Sequence, residues 1–440
     1  MINSKLIKEF DSKLTAQDRA VSGAIAKFGI NETSLNNDIL RKHTHKFSTK
    51  TLRGERTSQN KSGRCWMFAA LNTARVDAMK NLNIETFEFS ENYTLFWDKF
   101  ERTNYFLDAV IETADEPLNS RVVAFLLADP LGDGGQWDMF KAILKKYGAV
   151  PKEAMPETYS SSNTAELRTY LTSMLRFFTK QLRDEYKKSK DRSVLKNMKK
   201  DMLYKVYNIL VKALGNPPEK VQFEYEDKDK KFHRMPEMTP QEFLAKTVKW
   251  NLDDRISIIN APTKDKPFNK TYTVKFLGNI SEAKPVKYLN LEIDRLKEIA
   301  IESIKNGEPV WFGSDVGKSS ERKLGIMDMD VYNYDLTLGY KPKWDKGSRL
   351  DYYESLLTHA MVLTGVNLDD EGKPVTWEVE NSWGEKPGKK GMFSMGDEWF
   401  SNFVYQIMVD RKYLTEDESK AFEEEPKVLD PWDPMGALAL

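Results

Sequence analysis

The chain has 440 residues, enough to bury a substantial core in roughly two to four domains or in one core with large insertions. Its 67 basic and 67 acidic residues cancel, which excludes a global pull towards nucleic acid or an acidic membrane surface. A single cysteine, Cys65, excludes internal disulfides and multi-cysteine zinc sites, and no apolar run is long enough to span a bilayer.

Residues 1–50 read as a polar, helix-prone arm. Its start, Met-Ile-Asn-Ser-Lys-Leu, lacks the apolar run and cleavage site of a secretory signal, so a cytoplasmic location is expected. His43-Thr44-His45 has no nearby carboxylates, and neither a metal nor an organic cofactor is expected. Residues 51–160 read as a helical lobe. Gly63 precedes a dense apolar run with good helix-forming alanines, which predicts a mostly buried helix carrying Cys65 in its first turn. A second helix is expected from about Asn92 to Ala114, with an aromatic stripe of Tyr93, Phe96, Trp97, Phe100 and Phe106. Asp133-Gly134-Gly135-Gln136-Trp137 predicts a tight turn and then a short helix.

Residues 161–235 change character and predict a charged helical insertion. Asn163 and Glu166 have capping-box spacing, Leu167, Leu171, Phe178 and Leu182 give an apolar face, and Gly215-Asn-Pro-Pro218 stops the region. Two helices packed as a hairpin are expected, followed by a surface connection from Glu224 to Lys231. Thr239-Pro-Gln-Glu242 predicts a capped helix start with proline at its first position. Residues 236–415 read as mainly strand-rich, with strands expected at 256–259, 272–276, 310–312, 359–363, 375–379, 391–393 and 404–409, and a helix from Leu291 to Ile304. Residues 416–440 form a C-terminal arm. The fold class is α+β.

Two segments carry candidate chemistry. In Gln59-Asn-Lys-Ser-Gly-Arg-Cys-Trp-Met-Phe68, the start of a helix offers unpaired N–H groups and a positive dipole end, which favour a thiolate. Gln59 could donate to a developing oxyanion without carrying full charge. In the second segment, His359 opens an apolar strand and Glu380-Asn-Ser-Trp-Gly384 follows. A histidine there could act as base and then acid, with the Asn381 carbonyl holding its tautomer. The residues alone leave open an inert core cysteine, a structural His359 and a simple turn at Asn381-Ser-Trp-Gly384.

Gln59, Ser62-Gly-Arg-Cys-Trp66, His359-Ala and Asn381-Ser-Trp-Gly384 resemble, in chain order, the motifs of papain-like cysteine peptidases. The interval from Cys65 to His359 is about twice the 130–150 residues of an ordinary papain-like domain, which requires inserted sequence. The enlarged pattern resembles the bleomycin hydrolase and bacterial aminopeptidase C family over nearly the whole chain. Gly132-Asp-Gly-Gly-Gln-Trp137, Thr358-His-Ala-Met-Val-Leu-Thr-Gly365 and the ending Asp433-Pro-Met-Gly-Ala-Leu-Ala439 carry that likeness.

The resemblance implies a two-lobed papain-like fold, a Cys65–His359–Asn381 triad and Gln59 in the oxyanion hole. It also places Gly134 and Gly135 beside the substrate backbone and Trp383 over the histidine–asparagine contact. It implies a cysteine aminopeptidase acting on peptides with a free N-terminus, as a homohexamer with sites facing an internal channel. In such proteins the C-terminal arm blocks the cleft and its carboxylate meets the substrate amine; here Leu440 extends that ending by one residue at the substrate-binding end, and either the enzyme trims Leu440 itself or the tail bends to accommodate it. A broader amide or thiolactone hydrolase, and a ring-forming nucleic-acid-binding protein, are the rival readings; no clear basic stripe supports the latter, and no membrane association is expected.

Overall fold

The computed structural model describes residues 1–438 and divides into a helical wall and a sheet wall. The helix Cys65–Leu82 lies at their junction, and 14 of its 18 residues are buried. Alanines at 69, 70, 74 and 78 allow that close packing on several faces, and Asn83, in the left-handed region at φ 53°, ends the helix. Beside it runs Glu91–Glu112, whose Ser90 cap accepts from the Tyr93 N–H. The expected aromatic stripe packs inward: Phe96 and Trp97 meet edge to face at 5.2 Å, and Trp97 stacks on Tyr147 at 3.8 Å. The helix after the glycine turn spans Trp137–Tyr147.

The segment expected to be an insertion contains two long helices, Ala165–Ser189 and Arg192–Leu214, joined by Lys190 in the left-handed conformation and Asp191 as N-cap. Leu171, Leu175, Phe178 and Leu182 on the first, and Leu195, Met202, Val206 and Leu210 on the second, are buried at helical spacing. The capping box expected at Asn163 and Glu166 does not form. Thr164 stands at the N-cap in helical geometry, and its hydroxyl turns away from the helix to the Asp133 carboxylate. The box at Thr239 and Glu242 does form, with Pro240 opening the helix Pro240–Thr247. The charged segment read as a connection is instead part of an antiparallel hairpin, Val221–Glu226 with Phe232–Met238. Charge alternating with apolar residues at period 2 is a strand signal, and net polarity masked it.

A 12-stranded mixed sheet builds the other wall. At its centre, His359–Leu368 lies antiparallel between Val310–Ser314 and Pro374–Glu380. The core behind it includes Trp377, Trp399, Phe400 and Phe403, closed by the helix Ile293–Lys305. The two walls meet where the Trp311 indole donates to the Trp66 carbonyl at 3.1 Å. Trp66 itself is fully buried, so its truncation to alanine would cost about 3–5 kcal/mol.

Candidate active site

Strand register brings the second motif together. Val362 pairs with Glu380 across neighbouring antiparallel strands, so Asn381, just past the end of one strand, falls opposite Met361 and lies diagonally from His359 on the same face. His359 Nε2 and Asn381 Oδ1 are 2.9 Å apart, and both residues are buried. Asn381 Oδ1 also accepts from the Ser382 N–H at 2.8 Å, which fixes the carbonyl in place. Trp383 lies over the histidine, ring centroids 4.7 Å apart, and the Arg322 guanidinium covers Trp383 at 3.9 Å. Trp383 and Arg322 thus stack on one side of the histidine, which is buried.

Cys65 is the first residue of its helix, and its side chain is fully buried. The backbone of Ala360, the residue after His359, reaches the thiol, so the two motifs share one site. Burial pushes the thiol up to about 12, while the backbone groups of Ala360, Trp66 and Cys65 itself draw it down. The N–H groups at the helix start thus favour the charged sulfur, while burial opposes it. Desolvation outweighs the N–H groups, and the charged sulfur requires a cation beside it.

Gln59 sits on the same face of the site. Its Oε1 accepts from the Ser382 hydroxyl at 2.8 Å, and its Nε2 donates to the Ser62 carbonyl at 2.6 Å. A side-chain amide carries two N–H bonds, which leaves one for a ligand. The Gln59 backbone also donates to the Ser382 carbonyl at 2.8 Å, so the two motifs are bonded directly.

Gly134 and Gly135 are buried on the helical wall. A Cβ on Gly135 would stand 2.5 Å from the Trp66 indole, so glycine is required there by packing as well as by any close approach of a ligand. Next to it, Gln136 Nε2 donates to the Ala437 carbonyl at 2.5 Å, which ties the C-terminal arm to the glycine turn. Further anchors are Tyr288, whose hydroxyl donates to the Met435 carbonyl at 3.2 Å, and Lys266, 2.9 Å from Asp433. Leu440 lies outside the described residues.

Four contributors escaped the sequence reading. Asp133 was visible only as part of a turn, Lys99 as one charge in an aromatic helix, and Thr164 as a neighbour of a supposed capping box. Arg64, fully buried, forms a bidentate pair with Glu157 at 2.8 and 2.7 Å directly before Cys65. Their partners lie far away in sequence, so no local pattern marks them.

A family model described as the Peptidase C1-like family matches residues 1–436. Aminopeptidase C of Streptococcus thermophilus is 46% identical over 98% of this chain and 96% of its own length. Aminopeptidase C of Listeria monocytogenes is 49% identical over 90% of this chain and 88% of its own. Bleomycin hydrolase of Gallus gallus is 45% identical over 87% of this chain and 86% of its own. A crystal structure of pepw from Lactobacillus rhamnosis, 50% identical, superposes with a TM-score of 0.98, covering 100% of this chain and 99% of that one. With a thiol at a helix start, a histidine–asparagine pair against it and relatives of this likeness along the whole chain, the protein belongs to the Peptidase C1-like family, with the papain-like α+β fold.

Proposed function

We propose that this cysteine-type aminopeptidase removes N-terminal residues from peptides with Cys65 as nucleophile, His359 as base and acid, and Asn381 as the group that orients His359. The observation that carries the reading is the buried His359–Asn381 hydrogen bond of 2.9 Å beside a thiol in contact with the Ala360 backbone. Burial opposes a lone thiolate, so as the Cys65 proton passes to His359 the charged sulfur is held as an ion pair with the imidazolium. The sulfur then attacks the first peptide carbonyl carbon. The free N–H of Gln59 and the backbone N–H of Cys65 receive the developing oxyanion. His359 gives its proton to the departing amine, then takes one from the water that hydrolyses the acyl-enzyme, and the thiol is regenerated.

The C-terminal arm restricts cleavage to the end of the substrate. Its support is the bond from Gln136, beside the glycine turn, to Ala437. A chain held there blocks the subsites before the scissile bond, and its terminal carboxylate attracts a substrate ammonium. Assembly as a homohexamer in the cytoplasm is part of the same reading. The first two helices, Ser4–Lys13 and Ala16–Phe28, bury none of their residues and leave Ile7, Phe10 and Phe28 exposed, an apolar set suited to contact with another copy.

Matched fluorogenic peptides, one with a free N-terminus and one acetylated, test the proposal. Cleavage is expected for the free amine alone, and Cys65→Ala is expected to lose at least about 10⁴-fold in kcat. Deleting residues 437–440 should admit the acetylated peptide. Equal cleavage of both peptides by the intact chain would sink the gating idea, and substantial turnover by pure Cys65→Ala would sink the nucleophile. Intact mass of the active protein decides whether Leu440 is removed.

A further inference from the structure

The loop that presents Cys65 is held by isolated backbone bridges, Ser58 with Trp383 and Lys61 with Asn163, and residues on both sides of Cys65 converge on one buried residue, Asp133. Asp133 Oδ2 accepts from the Gly63 backbone N–H at 3.3 Å, two residues before the nucleophile. Its backbone carbonyl accepts from the Trp66 indole at 2.8 Å, one residue after the nucleophile. Its Oδ2 also receives the Thr164 hydroxyl, the group diverted from capping the first insertion helix. Lys99 holds the other carboxylate oxygen, Oδ1, at 2.7 Å and donates to the adjoining Gly132 carbonyl at 2.6 Å. Both side chains are almost fully buried.

Burial works to raise the Asp133 carboxyl, but Lys99, the Thr164 hydroxyl and the Gly63 N–H together hold it well below the usual carboxylate range. These partners favour the charged carboxylate over the neutral acid. A buried ion pair is weak as a source of stability, because desolvation of both charges offsets most of their attraction. It is strong as a geometric constraint, since a charged acceptor fixes donors more firmly than a neutral one.

We propose that the Lys99–Asp133 pair is a positioning device for the reaction, setting the Cys65 backbone N–H and thiol relative to the Gly134–Gly135 turn. The inference rests on the assignment of Cys65 as nucleophile. The residues that Asp133 bonds flank Cys65 on both sides, while the residues that follow Asp133 in the chain are the glycine pair itself. One residue thus fixes the distance between the attacking atom and the wall against which a substrate backbone lies. Asp133 touches neither substrate nor reacting atoms; it acts through Gly63, Trp66 and its own following residues. A displacement of the order of 1 Å between such groups lowers turnover by about 10²-fold.

The test compares peptide turnover with alkylation of Cys65 by iodoacetamide, which needs the thiol and His359 but neither the glycine turn nor the oxyanion donors. In Asp133→Asn, kcat on the free-amine peptide should fall about 10–100-fold with KM changed less than about 3-fold, while alkylation stays within about 3-fold of the parent. Lys99→Met should behave alike, and Lys99→Arg should recover most of the loss. Thr164→Val, which removes one donor and leaves the ion pair, should lose about 3–10-fold in kcat and decides the matter if Asp133→Asn does not fold. Unchanged kcat in Thr164→Val and any folded Asp133→Asn protein, or turnover and alkylation falling together, would overturn the proposal. Activity surviving in Cys65→Ala would instead overturn the nucleophile assignment, a separate failure.

Discussion

The two walls of the cleft hold their chemistry in different ways. On the sheet wall, His359 and Asn381 come from adjacent strands, so ladder register sets their approach and neutral hydrogen bonds complete it. On the helical wall, Gly63, Asp133, Glu157 and Thr164 lie on separate loops and helix starts, where an isolated bridge between Lys61 and Asn163 is supplemented by buried ion pairs. Backbone pairing positions residues a few ångströms apart without buried charge; loops from distant sequence need strong, directional side-chain bonds. The walls are then joined by charge. Glu380, the residue before Asn381, pairs with Arg75 on the Cys65 helix and lies 3.5 Å from Arg56.

If register alone positions the base, loss of the Asn381 amide should leave the fold intact and disorder only the imidazole. Asn381→Ala is expected to lower kcat about 10²-fold with little change in unfolding midpoint, read by steady-state kinetics beside urea denaturation. A fall in both would mean that the asparagine also organises the sheet wall. The joint between the walls should show the opposite profile. Glu380→Ala leaves the buried Arg75 guanidinium unpaired and should destabilise by about 3–5 kcal/mol in urea. Replacing both partners, as Arg75→Met with Glu380→Met, should restore much of that stability; failure to do so would give the pair a role beyond bridging.

The one effect that depends on pH concerns Glu91, an acid buried on the helical wall. Burial, with Glu88 and Glu157 nearby, raises its carboxyl to about 8, against the opposing pull of Lys152 3.7 Å away and of Arg64. A carboxyl whose folded value lies above its unfolded value of 4.5 contributes stability that is complete below pH 4.5 and is lost as pH rises through about 8. Glu91→Gln should therefore differ little from the parent near pH 4.5 and gain in relative thermal midpoint towards pH 8. A pH-independent difference between the two proteins would show that Glu91 is charged throughout and belongs with the other fixed ion pairs.

Much of the sheet wall was legible because strands announce themselves locally. His359-Ala-Met-Val-Leu363 and Val375-Thr-Trp-Glu-Val379 are β-branched and aromatic runs, and each carries its functional residue at or just beyond an end. The hairpin at 221–238 was missed where acidic and basic residues hid a period-2 pattern, and the Asn163 box because the Thr164 hydroxyl had a better partner than its own helix. That second miss shows a tertiary contact overriding a local signal.

By itself the sequence determined the chemistry on offer: one thiol at a helix start, a histidine heading an apolar strand, an asparagine–tryptophan segment after the next strand, and a glycine pair in a turn. These are short-range patterns, written in neighbouring residues. Only the tertiary structure decided that Cys65 is fully buried, that Ser382 and Ser62 hold the Gln59 amide, and that the buried Lys99–Asp133 pair joins Gly63 and Trp66, on either side of Cys65, to the start of the glycine turn. Desolvation and buried charge pairing depend on what surrounds a group in space, and those neighbours come from segments tens to hundreds of residues away.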